Sequence, residues 1–80
     1  MNKYEKLKED LRNYKQNNRF YKIRIARKKA KLMQSTIDWE IRIYQRELRE
    51  LEEKLAKNES SLKALISDIA DYHFENEGVI

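Results

Sequence analysis

The fold is decided by the stretch Met33-Gln34-Ser35-Thr36, where two hydrophobic patterns of the chain fall out of phase. On both sides of it, core-type residues recur at alternating steps of three and four, as in a coiled-coil heptad. The first seam consists of Tyr4, Leu7, Leu11, Tyr14, Asn18, Tyr21, Ile25, Lys28 and Leu32. The second seam consists of Ile37, Ile41, Tyr44, Leu48, Leu51, Leu55, Asn58, Leu62, Leu65, Ile69 and Tyr72.

The two seams differ in phase by two residues. Continuing the first seam would place a core position at Trp39, whereas the second seam has its core position at Ile41. A coiled coil can absorb an insertion of three or four residues, but a slip of two fits neither case. Ser35 and Asp38 also have the spacing of an N-cap pair at the start of a new helix. The sequence therefore predicts a turn within Met33–Thr36.

Long helices are expected on both sides of this turn, because Pro is absent and the only Gly is Gly78. We predict an all-α fold, an antiparallel coiled-coil-like hairpin with helices over about 3–33 and 36–74. Residues 1–80 would form one domain, and the tail at 75–80 would fray. The cap-favouring run from Asn58 to Ser61 leaves a third short helix, from about residue 61, as the alternative. The second seam keeps its phase through Asn58, which favours one continuous helix.

Self-association is expected because two helices alone make a thin core and the chain has no Cys for disulfides or thiolate metal sites. A homodimer would bring four helices around one core in a helical bundle. Asn18 occupies a core position of the first seam, where a buried amide can fix register and oligomeric state. The alternative is that Asn18 is solvated in a loosely packed part of the helix.

The net charge of +4 conceals a strong asymmetry along the chain. Residues 1–35 contain 12 basic and 3 acidic residues, a net charge of +9, whereas residues 36–80 have a net charge of −5. No acidic residue occurs between Asp10 and Asp38. Cations at this density match the spacing of nucleic-acid phosphates or an acidic protein surface. The candidate contacts are Arg19, Lys22, Arg24, Arg27, Lys28, Lys29 and Lys31.

Four of these cations, Arg24, Arg27, Lys28 and Lys31, are expected to point away from the seam and stay free. The alternative is a basic surface that is merely solvated, or that is neutralised by glutamates of the second helix such as Glu47. Tyr14 and Tyr21 belong to the seam, so they are expected in the core and not stacked on bases.

A second line of apolar residues runs beside each seam and is wider than a two-helix contact needs. We predict that its members anchor a protein interface: Phe20, Ile23, Met33, Trp39 and Ile43. The alternative for Trp39 is that it plugs the turn end of the hairpin. The basic segment 19–31 has the character of a helix that lies on an anionic membrane, but membrane binding is disfavoured because it would dismantle the seam.

The residue types needed for catalysis are sparse. His73 is the only His, and with Glu77 it makes too weak a ligand set for a metal site. We find no Gly-rich phosphate loop and no nucleophile with a base, so we predict no enzymatic activity, no cofactor and no metal. No apolar run is long enough to span a membrane, and the first ten residues lack the apolar stretch of a secretion signal. A cytoplasmic protein is expected.

The run Leu11-Arg12-Asn13-Tyr14-Lys15, the basic helix after it and the Glu-rich run 46–55 resemble the N-terminal helical region of small prophage-encoded regulators of Gram-positive bacteria. The similarity covers about residues 7–57 and has no diagnostic motif. It implies a mobile-element origin. Those regulators continue into a helix-turn-helix, and nothing after Leu62 supplies one.

Two functions are compatible with these features. The first is a non-catalytic helical interaction protein from a phage or mobile element, which binds and modulates or inhibits a host protein or nucleoprotein complex. The second is a dimeric protein that binds DNA or RNA directly through the basic face of the first helix.

Overall fold

The computed structural model describes residues 2–77, with side chains for residues 2–75, and consists of two long helices. Helix α1 spans Lys3–Gln34 and helix α2 spans Asp38–Glu77. They pack side by side in opposite directions, so that Tyr4 near the start of α1 stacks on Tyr72 near the end of α2. The molecule is a rod of 65 × 17 × 15 Å. The predicted all-α helical hairpin is confirmed.

Helix α1 is capped at both ends by local hydrogen bonds. At its start, the side-chain oxygen of Asn2 accepts a hydrogen bond from the backbone N–H of Glu5 at 2.8 Å. This hydrogen bond satisfies one of the four N–H groups that a helix N-terminus leaves without a partner. At its end, the backbone N–H of Ser35 donates to the carbonyl of Leu32 at 3.3 Å.

The turn occupies residues 35–37, and the predicted N-cap pair of Ser35 and Asp38 is wrong. Helix α2 begins at Asp38, and its first backbone bond runs from the N–H of Ile41 to the carbonyl of Ile37 at 3.0 Å. Ser35 is too far upstream to cap this helix. It closes α1 instead, and its hydroxyl donates to a carboxylate oxygen of Glu40 at 3.0 Å.

Helix α2 runs without a break through residues 58–61, so the third short helix does not form. The physical reason lies in Asn58, which is buried and turns inward. Its side-chain nitrogen donates to the backbone carbonyl of Tyr14 in α1 at 3.0 Å, so the amide bridges the helices instead of capping one. The predicted fraying concerned residues 75–80. Helix α2 extends to Glu77, and residues 78–80 lie outside the described part of the chain.

The predicted seams form the interface between the helices. Every position of the first seam is at least half-buried, and so is every position of the second except Ile37, which precedes α2. Yet among the described apolar residues only Ile25 and Leu65 are buried, and each keeps 7–8% of its surface exposed. The surface area is 6751 Å², whereas a compact monomer of this mass exposes about 5,200 Å². The hairpin therefore carries an excess of exposed surface.

Two asparagines interrupt the apolar interface near its middle. The carbonyl of Tyr14 accepts a hydrogen bond from Asn58, and as part of a continuous helix it also accepts the backbone N–H of Asn18. The side-chain oxygen of Asn18 is buried and has no hydrogen-bond partner within the described residues. This oxygen is therefore not solvated. A role of Asn18 in fixing the register stays a prediction.

The unpaired oxygen of Asn18 predicts an unusual response to mutation. Asn18→Leu should raise the free energy of unfolding by about 1–2 kcal/mol, because it removes a buried polar atom without a partner. Asn58→Leu is the matched control, and it should gain about 1 kcal/mol less because it also loses the bond to Tyr14. Urea denaturation at one fixed protein concentration measures both. A destabilised Asn18→Leu variant would contradict the prediction.

Candidate interaction surface

Antiparallel pairing sorts the charges of the chain along the rod. It places the first part of α2 beside the basic part of α1, so that residues 12–57 form the half nearest the turn. This turn half has 14 basic and 6 acidic residues, a net charge of +8. The open half, residues 2–11 and 58–77, has a net charge of −4. The rod is thus strongly basic at one end and acidic at the other.

Five cations of the turn half border an open groove of about 340 Å³ between the helices, which we call the basic groove. Helix α1 contributes Arg24, Arg27, Lys28 and Lys31, and α2 contributes Glu47, Glu50, Leu51 and Lys54. Five cations therefore face two carboxylates. This excess of positive charge gives the groove a positive electrostatic potential.

Lys28 is not free, contrary to the prediction. Its ammonium forms an ion pair with Glu47 across the helix interface and lies 5.3 Å from the centre of the Tyr44 ring. The physical reason is that Lys28 occupies a seam position, from which its long side chain reaches α2 while its head stays near solvent. The hydrogen bond from Lys28, with smaller contributions from nearby cations, lowers the pKa of Glu47.

The other cations of α1 form no ion pair with any side chain that the structure describes. Among the residues whose side chains are described, Lys28–Glu47 is the only ion pair. The guanidinium of Arg24 lies 4.3 Å from the centre of the Phe20 ring, and the remaining candidates are exposed: Arg19, Lys22, Arg27, Lys29 and Lys31. Among the described side chains, ion pairing of these cations with glutamates of α2 is thus limited to Glu47, and most of the candidate cations face solvent.

The predicted anchors are exposed in two regions, near the turn and in the middle of α1, and one anchor is half-buried. Met33 is 87% exposed and Trp39 is 62% exposed, and Ile37 between them is exposed as well. We call these three residues the turn cluster. Trp39 therefore does not plug the end of the hairpin. Ile43, one turn after Trp39, is half-buried.

The second patch lies on the outer side of α1. Phe20 and Ile23 are about half exposed and border a shallow groove together with Arg19. Along α1 about 15 Å separates Ile23 from Met33 at 1.5 Å per residue. The structure therefore does not bring all predicted anchors into one surface.

Sequence reasoning missed a surface at the open half of the rod. A groove of about 330 Å³, which we call the acidic groove, is lined by Lys3, Leu7, Asp68, Asp71, Tyr72 and Glu75. Two large apolar residues of α2, Ile66 and Phe74, are also exposed in this half. The acidic excess of residues 58–77 was visible in the sequence, but only the helix register shows which residues of α1 share the groove.

No family model, curated protein or solved structure matches the chain. Within the described residues, no group of three or more His, Cys, Asp and Glu side chains is placed to hold a metal ion. Nor does either helix, over its described length, contain an apolar stretch that could cross a membrane.

The ion pair at Glu47 predicts a specific dependence of stability on pH. The folded-state pKa of Glu47 lies below its ordinary value of 4.5, so the pair stabilises the hairpin at neutral pH. This stabilisation is lost as the pH falls through the lowered pKa. Glu47→Gln should therefore be less stable than the native chain at about pH 6 and approach it by about pH 3.

Denaturation curves recorded across this pH range test the expectation. Glu50→Gln is the matched control, because Glu50 borders the same groove without an ion pair. A Glu47→Gln variant that parallels the native chain at every pH would show that the pair contributes nothing to stability.

Proposed function

We propose that this chain is a non-catalytic helical interaction protein, carried by a phage or other mobile element, that binds a host protein or nucleoprotein complex. Binding would take place in the cytoplasm and modulate or inhibit the target. The turn cluster carries the proposal. It presents Met33, Ile37 and Trp39 to solvent near the turn of the hairpin, next to a surface of strong positive charge.

The chemistry of the turn cluster suits a protein partner. Large exposed apolar side chains that lie close together commonly mark interaction sites, and Trp is the residue type most enriched among binding hot spots. The surrounding cations would speed the approach to a negatively charged surface and restrict which partners bind. The target is therefore expected to offer an apolar pocket with an acidic rim.

The origin and the absence of catalysis are also parts of the proposal. The resemblance over about residues 7–57 to prophage-encoded regulators supports a mobile-element origin. The grooves of the hairpin are open to solvent, which favours binding over a reaction that must exclude water.

Affinity capture with matched variants tests the proposal. The immobilised chain is exposed to a nuclease-treated lysate of a Gram-positive bacterium, alongside Trp39→Ala and Phe74→Ala. Phe74 is the control because it is equally apolar and 79% exposed, but lies at the opposite end of the rod. We expect one dominant protein on the native chain and on Phe74→Ala, and a loss of at least about tenfold on Trp39→Ala.

Two outcomes contradict a protein partner at the turn cluster. One is that no protein remains bound after nuclease treatment. The other is that Trp39→Ala retains the same protein as well as the native chain does.

Direct nucleic-acid binding is the second candidate function, and the unpaired cations of α1 favour it. A salt titration on generic DNA and RNA is the test, because phosphate contacts release counterions and weaken steeply as salt rises. The single variants Arg27→Ala and Lys29→Ala should each reduce the slope of log K against log salt by about 1. Lys63→Ala, in the acidic half, is the control and should leave the slope unchanged. No binding at about 50 mM salt would exclude this candidate.

A further inference from the structure

The side of α1 that faces away from α2 carries a strip of exposed, uncharged residues, which we call the outer strip. It consists of Gln16, Phe20, Ile23 and Ala30. Gln16, Ile23 and Ala30 recur every seven residues. Seven residues make about two helical turns, so these three share the side of α1 opposite the seam. Phe20 lies beside them and borders the same shallow groove as Gln16 and Ile23.

Two rows of cations flank the outer strip. The lateral row consists of Arg12, Lys15, Arg19, Lys22 and Lys29, all of them exposed. The groove row consists of the cations that α1 contributes to the basic groove, without the paired Lys28: Arg24, Arg27 and Lys31. Neither row forms an ion pair with any side chain that the structure describes.

The heptad pattern places these rows on opposite sides of the seam. Each residue of the lateral row directly follows a seam residue, as Lys15 follows Tyr14. Each residue of the groove row directly precedes one, as Arg24 precedes Ile25. Positions just after and just before the seam residues lie on its two different flanks. Helix α1 therefore presents an uncharged centre between two positively charged edges.

This arrangement matches the major groove of B-form DNA. An α-helix with its side chains is about 10–12 Å wide, and the major groove is about 12 Å wide. A helix in this groove has base edges in front of it and a phosphate backbone on either side. Helix α2 packs against the seam side of α1, so it leaves the outer strip and both rows accessible.

We propose that α1 binds in the major groove of double-stranded DNA, with the outer strip toward the base edges and one row of cations on each backbone. The proposal rests on the second candidate function, nucleic-acid binding, and specifies its ligand and its binding face. A single strand fits less well because it needs aromatic rings on which bases stack. Tyr14 and Tyr21 are half-buried in the seam, and the ring of Phe20 lies against the guanidinium of Arg24.

The chemistry of the outer strip suits base edges. In the major groove, an amide such as that of Gln16 can bind adenine through two hydrogen bonds, and apolar side chains such as Ile23 and Ala30 can contact the methyl group of thymine. An anionic membrane is a poorer ligand, since a helix that lies on a membrane needs a wide apolar face. The widest apolar face of α1 is its seam, which packs against α2.

The contact is limited to one part of α1. From Arg12 to Lys31 the two rows extend about 29 Å at 1.5 Å per residue, and no acidic residue occurs between them. Glu9 lies seven residues before Gln16, in line with the outer strip, and it is exposed. Its carboxylate would repel phosphates, so the contact begins near Arg12.

Salt titrations on a short DNA duplex test whether both rows contact a backbone. K22A/K29A removes two cations of the lateral row, and R24A/K31A removes two of the groove row. Each variant should reduce the slope of log K against log salt by about 2. The matched control R49A/K63A removes two exposed cations of α2 and should leave the slope unchanged. If only one of the two row variants lowers the slope, α1 does not lie between two backbones.

A carboxylate in the outer strip tests which side of α1 faces the bases. Ile23→Glu should weaken binding to duplex DNA at least about tenfold, because its charge would lie between the two backbones. Ile66→Glu is the matched control, since Ile23 is 48% exposed and Ile66 is 50% exposed on α2. It should change the affinity by less than about twofold, because its charge is screened from the DNA. Far-UV circular dichroism checks that both variants keep their helices.

The choice of ligand completes the test. The native chain should bind duplex DNA at least about tenfold more tightly than duplex RNA of the same sequence, whose major groove is too deep and narrow for a helix. It should also prefer DNA to vesicles of anionic phospholipid. Equal affinity for the two duplexes, tighter binding to vesicles, or native affinity of Ile23→Glu would overturn the proposal while leaving nucleic-acid binding in place. No binding to any nucleic acid would overturn the second candidate function as well.

Discussion

Two hydrophobic seams that are offset by two residues cannot both face one partner along a straight helix, and this constraint underlies the rest of the structure. The chain meets it by folding back at residues 35–37, so that the seams pack against each other. Three contacts spread along the rod agree on a single register: Tyr4 with Tyr72, Asn58 with the carbonyl of Tyr14, and Lys28 with Glu47. The separation of charge into a basic and an acidic half follows from this register.

The hairpin buries few of its apolar residues. The seam is occupied by side chains that are mostly half-buried, and asparagines take two of its central positions. Large apolar residues such as Met33, Trp39 and Phe74 are left exposed. A fold with little core and much exposed apolar surface gains stability when it associates. The proposed partner site accounts for the exposure of Met33 and Trp39.

The spacing of apolar residues in the sequence predicted the features of the fold that depend on the packing of many side chains together. The seam positions, the two-helix architecture and the continuity of α2 through Asn58 follow from it, since moving a whole seam would expose many side chains. Features that depend on a single side chain were harder to predict. Ser35 has the chemistry to cap either helix. A shift of the turn by a single residue decides which helix it caps. Lys28 occupies a seam position, but its charge favours solvent or a carboxylate. The structure resolves this conflict by placing Glu47 of α2 where its carboxylate pairs with the ammonium of Lys28.

The most direct test of the account is the distance between the two helices in solution. Spin labels are attached to Arg12→Cys and Lys63→Cys in one chain, diluted with unlabelled protein, and measured by pulsed electron paramagnetic resonance. Both positions are exposed on opposing parts of α1 and α2. The hairpin predicts a distance of about 20 Å, given helix axes about 10 Å apart and the reach of the labels. A distance near 77 Å, the length of a continuous helix between these residues at about 1.5 Å per residue, would contradict it.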